Sequence, residues 1–145
     1  MRILRCIGFV LAASFFFVAC GLDDKGNILI EEGAAGGSIS VHVSDGNPKS
    51  RPIYTWSDAG TDISSSMARE VKVARASDLN TIVWAVTALD PSQNTVQSPI
   101  QHGTTQAGTI QAADSELDLG MDITYRVTVT KADSTFGYRE FTVLP

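Results

Sequence analysis

Cys20 is the residue of this 145-residue chain whose surroundings most clearly prescribe a chemistry. It follows Phe17-Val18-Ala19 at the end of an unbroken run of apolar and small residues, Ile7 to Ala19, and Arg2 and Arg5 stand ahead of that run. Other reactive groups are sparse. The second cysteine, Cys6, lies in the same leader, so nothing after Cys20 can form a disulfide, a thiolate zinc site or a thiol nucleophile. His42 and His102 are the two histidines, and their spacing is not that of a metal-ligand pair. Each reads as a surface histidine: His42 pointing outward from a strand, His102 in a turn before Gly103. Ser64, Ser65 and Ser66 lack a Gly-x-Ser-x-Gly elbow and have no base nearby in sequence. Asp114, Glu116, Asp118 and Asp122 are the densest acidic stretch and the candidate set for calcium, which takes about six to eight oxygens. Leu117 and Leu119 alternate with Glu116 and Asp118, however, which predicts the charged outer side of a half-exposed strand. No cofactor and no resident metal are expected.

A positive head, a short apolar core and a small residue before the cut make a removable export signal. The core is too short to cross a bilayer of about 30 Å as a permanent helix. With its cysteine, Phe17-Val18-Ala19-Cys20 resembles the box of bacterial lipoproteins: a bulky apolar residue, a middling one, a small one, then cysteine. Phenylalanine stands where leucine is usual. The resemblance implies that Cys20 is diacylated, cleaved on its N-side and acylated again, and two or more chains anchor stably where one does not. It also implies a bacterial envelope address in the outer membrane, because Gly21 rather than aspartate follows the cysteine. Asp23 and Asp24 are similar to the acidic residues that direct some lipoproteins to the cell surface. The expected organisation is a signal at 1–19, a lipidated cysteine and flexible Gly- and acid-rich tether at 20–37, and one folded domain at 38–145.

Charge narrows the partners. All 16 acidic residues follow Cys20, against nine lysines and arginines once Arg2 and Arg5 leave with the signal, so the mature chain carries −7. No basic patch favours nucleic acid or anionic lipid head groups. Membrane attachment therefore falls to the anchor.

Past residue 38 the pattern is that of short strands. Ile39, Val41 and Val43 alternate with Ser40 and His42, and Tyr54 and Trp56 share one side of a second strand. Val71 and Val73 mark a third, and Ile82, Trp84 and Val86 share a face of a fourth. Val96 to Ile100 forms a short edge strand because Pro99 interrupts it. Ile123 to Thr130 has the cleanest alternation, and a last strand carries Phe141 and Val143, with Tyr138 facing away from the core beside Arg126 or Arg139. No helix-period stripe follows the leader. About seven such runs predict an all-β fold, an antiparallel two-sheet sandwich. Leu119 with Tyr125 six residues on, followed by Val127 and Val129, resembles the tyrosine corner of fibronectin type III-like and wider immunoglobulin-like domains, and Trp56 is similar to their core tryptophan. Met121 replaces the usual proline. The resemblance implies that fold and is silent on activity.

The expected function is a non-catalytic, lipid-anchored binding or adhesion module for a protein or glycan ligand. The alternatives are an assembly subunit of an envelope complex or an accessory domain to an enzyme. Binding is expected in the loop Ser57–Ser66, through Asp58, Asp62, Ser64, Ser65 and Ser66.

Overall fold

Alternating burial decides the architecture. Along Thr124–Thr130, Tyr125, Val127 and Val129 are fully buried while Thr124, Arg126, Thr128 and Thr130 are not, as the two-residue period of a strand requires. A computed structural model describes residues 30–58 and 66–145. The leader, Cys20, Asp62, Ser64 and Ser65 lie outside the described residues.

Eleven strands are present among the described residues: β1 (Ile30–Gly37), β2 (Ser40–Ser44), β3 (Ile53–Ser57), β4 (Met67–Ala68), β5 (Glu70–Arg75), β6 (Asp78–Ala88), β7 (Val96–Gln97), β8 (Ile100–Gln101), β9 (Thr109–Asp114), β10 (Thr124–Thr130) and β11 (Phe136–Val143). They form an antiparallel six-stranded sheet, β1-β11-β10-β5-β6-β9, opposed by β2-β3-β8 and a small β4-β7 pair. The result is an all-β sandwich. Val71, Val73, Val86, Val127, Val129 and Phe141 of the large sheet meet Val41, Tyr54, Trp56 and Ile100 of the smaller one in a single core. Tyr54 bridges the layers, its ring 5.8 Å from Phe141 and 5.9 Å from Trp84. Trp56 and Tyr125, predicted as core residues, are both fully buried and come from opposite sheets.

Four expectations need correction. Residues 30–37 are not tether but strand β1, paired along β11 from Ile30↔Val143 to Gly37↔Gly137. Its three glycines and two alanines gave no alternation to read. Between Gly103 and Asp114, where the alternation marks no strand, lies β9, which pairs with β6. The run Val96 to Ile100 is two strands: around the cis Ser98-Pro99 bond the chain leaves β4 and joins β3. Glu116 to Leu119 forms no strand; it belongs to a crossing segment in which Leu119 is buried.

The corner from β1 into β2 depends on two glycines. Gly37 has φ 91°, a conformation side chains other than glycine's disfavour. At Gly137 a Cβ would stand 2.0 Å from the Ile39 carbonyl oxygen.

Strand directions sort the loops into two groups. The start of β1, the turns 45–52 and 76–77 and the crossing segment 115–123 lie at what we term the proximal end. Asp58 and Ser66 and the connections 89–95 and 131–135 lie at the other, distal end.

Candidate functional site

At the distal end three connections meet. Asp58, just past β3, forms an ion pair with Lys131, just past β10. Asn94 Oδ1 accepts the Ala132 N–H at 2.8 Å, tying 89–95 to 131–135. Each of those two connections is also shaped by its own aspartate. Asp90 Oδ1 accepts from Ser92 N at 2.9 Å and Ser92 Oγ at 2.7 Å. Asp133 Oδ1 accepts from Thr135 N at 2.9 Å and Thr135 Oγ1 at 2.6 Å. These bonds stabilise the carboxylate form and hold both groups below the usual aspartate range. Carbon-rich surface stands beside them: Leu89 is 63% and Phe136 47% exposed.

The structure divides the predicted binding residues. Asp58 is at this end, half-buried against Lys131. Ser66 is buried, and its carbonyl accepts the Ser98 N–H at 3.0 Å, so it belongs to the frame and not to the contact surface. Asp62, Ser64 and Ser65 fall between them, outside the described residues. Tyr138 faces outward as expected, but its ring is in use: Arg126 lies 4.3 Å over its centroid while pairing with Glu140, and Gly36 packs against it.

The proximal end holds the four carboxylates considered for calcium, and they do not converge. Asp118 is gripped by Arg51 through Nε at 2.8 Å and Nη2 at 3.1 Å, with Ser50 Oγ at 2.8 Å. Those hydrogen bonds, led by Arg51, bring its carboxyl down to about 2. Glu116 pairs with Arg75 and accepts the Tyr125 hydroxyl at 2.9 Å. The same hydroxyl accepts the Gly120 N–H at 2.9 Å, closing a tyrosine corner over buried Leu119. Among the described residues no three His, Cys, Asp or Glu side chains are grouped to hold a metal.

His102 overturns its reading as a surface histidine. It is fully buried, with Nδ1 2.8 Å from the Tyr54 hydroxyl and Nε2 2.8 Å from the Glu116 carbonyl. Its ring centroid is 4.9 Å from that of Trp84. Desolvation pushes its pKa below the ordinary histidine value. A signal was available: Ser98, Ile100 and His102 share strand parity, and all three are buried.

Sequence spacing also missed a constellation between β1 and β2. Ser40 Oγ lies 3.3 Å from His42 Nε2, and His42 Nδ1 lies 3.7 Å from buried Glu32, beside an open cleft of about 320 Å³. The order is that of nucleophile, base and orienting acid. The geometry serves the strand edge instead. Glu32 Oε1 accepts the Val43 N–H at 2.6 Å, and Arg139 Nε donates to the Val41 carbonyl at 3.0 Å. Together they occupy the side of β2 that no strand covers. The Ser38 and Ile39 amides by the cleft both donate to the Phe136 carbonyl, so neither is available to an oxyanion.

Fold and surface thus define an all-β sandwich with braced connections at one end and a loop cluster at the other. No protein-family model, curated protein or solved structure matches the chain.

Proposed function

We propose that this chain is a lipid-anchored, non-catalytic protein of the bacterial envelope, in the outer membrane, and that its distal loops bind a protein or glycan. The observation that carries the reading is the placement of the two ends. β1 begins at Ile30 beside Val143, at the proximal end, so a chain anchored at Cys20 approaches from there. Ten residues, 20–29, span at most about 36 Å, so the proximal end is the one tied near the membrane and the distal loops are the end left untied. Loops on a rigid scaffold are the adaptable surfaces of such a domain. The buried tyrosine corner supports a fibronectin type III-like or immunoglobulin-like sandwich.

Assembly through strand edges is the weaker alternative. Both outer strands of the large sheet carry an extra residue, β1 between Glu32 and Ala35 and β9 between Gln111 and Ala113. Bulges disrupt the ladder a partner strand would extend.

Two measurements test the proposal. In Cys20→Ser the protein should leave the membrane fraction, and mass spectrometry of the wild-type N-terminus should show acyl chains on Cys20. An unmodified Cys20 on the mature protein defeats the anchor. For binding, residues 59–65 are replaced by a short Gly-Ser linker, keeping the Asp58 pair and buried Ser66. Folding should persist, and partners cross-linked to the wild type in its own cells should be lost. Undiminished cross-linking defeats the site.

A further inference from the structure

His102 lies in the core, yet it touches the surface segment that crosses the proximal end. Its hydrogen bonds fix its tautomer. The Glu116 carbonyl only accepts, so Nε2 carries the proton, and Nδ1 is left to accept the Tyr54 O–H. In the neutral ring both nitrogens are satisfied with the Tyr54 hydroxyl as donor. On protonation Nδ1 becomes a donor facing a donor. The Tyr54 hydroxyl must turn and find another acceptor for its proton, while a cation sits against the rings of Tyr54 and Trp84. An unpaired buried charge is costly enough that the surroundings reorganise around it.

One part of the surroundings separates the ring from solvent. Tyr54 and Trp84 belong to core strands, but the cover over the ring comes from the crossing segment. Glu116 supplies its carbonyl, and Leu117 packs so closely on Gly103 that a Cβ there would meet its Cδ1 at 2.4 Å. Leu117 is itself 39% exposed, so water lies just outside. The ring's short route to solvent therefore displaces this segment.

We infer that the crossing segment, Ser115 to Ile123, is a proton-operated latch, closed over neutral His102 and released from the end of the sandwich when that ring takes a proton. The charges around it are mixed. Arg51, beside β3, opposes protonation; Asp114, at the end of β9, and Asp118, on the segment, favour it; and the Arg51–Asp118 pair offsets much of its own influence. β6 contributes Trp84, which carries no charge. From β5 and β10, Arg75 and Tyr125 hold the Glu116 carboxylate away from the ring. Burial outweighs these charges, so the folded pKa is below the ordinary value of about 6.5. The unfolded or opened chain then binds the proton more readily. The closed form is fully favoured above about pH 6.5 and loses ground as pH falls through that value toward the folded one.

Hydrogen exchange of the mature protein, corrected for the chemical effect of pH, tests this at pH 7.5 and 5.0. Protection of peptides covering 115–123 should fall at least tenfold, while that of β10 and β11 holds. His102→Gln offers an amide N–H and a carbonyl in place of the two ring nitrogens and does not titrate, so it should keep the segment closed at both pH values. An equal loss in His102→Gln, or no loss in the wild type, overturns the latch. If that variant fails to fold, Tyr54→Phe decides. It removes the donor that favours the neutral ring, so opening should move to higher pH, and an unmoved midpoint overturns the inference.

Discussion

The two ends of the sandwich are fastened in different ways. At the proximal end, beside a local turn at Asp78, many bonds join residues far apart in sequence: Ser50 and Arg51 to Asp118, Arg75 to Glu116, His102 to Tyr54. Several reach fully buried groups. At the distal end the turns are shaped by local bonds, Asp90 to Ser92 and Asp133 to Thr135, with longer ties through Asp58 and Asn94 and from Leu89 and Thr95 to Gly108. Local turns hold their form whatever the rest of the loop does. Long-range bonds make a segment part of the fold. The first arrangement resists change in sequence, and the second accommodates it.

The largest expected effect ignores the distinction. Trp56→Ala opens a cavity beneath both ends and should cost roughly 3–5 kcal/mol, read from urea unfolding of the domain. A loss below about 1 kcal/mol would contradict the burial of that ring. Next comes a change specific to the proximal end. Tyr125→Phe removes the hydroxyl shared by Gly120 and Glu116, with an expected loss of about 1–3 kcal/mol and faster exchange of the Gly120 amide. Equal destabilisation of the distal connections would blur the contrast drawn here. The smallest effect belongs to the distal end. Lys131→Ala leaves Asp58 partly in water and should change stability by no more than about 1 kcal/mol. A larger loss in the same unfolding measurement would make this end as integral to the fold as the other.

Much of the frame was legible because apolar residues alternate where one side of a strand is buried. Val41 and Val43, Tyr54 and Trp56, and Val127 and Val129 all announce their strands this way. β1 was hidden for a physical reason: an edge strand of glycine and alanine has few side chains to bury, and its pairing comes from backbone groups. β9 was hidden because its side chains are largely exposed. The role of His102 depends on a tyrosine 48 residues away and on a carbonyl, neither of which leaves a local pattern. Of the expected binding loop, the position of Asp58 just past the Tyr54–Trp56 strand was legible in the sequence. The burial of Ser66 was not, since it follows from the chain changing sheets at Pro99.

The first strand also has a mechanical meaning. It starts at the proximal end and runs toward the distal end alongside β11. Under the proposed anchoring at Cys20 and binding by the far loops, tension would act along the axis of β1. The rungs between the two strands are then loaded in shear and resist together, where a pull across the sheet would peel them apart one by one. Rupture under such a load is set by an unfolding rate and not by equilibrium stability, so a strand of little apolar content can still serve as a firm grip.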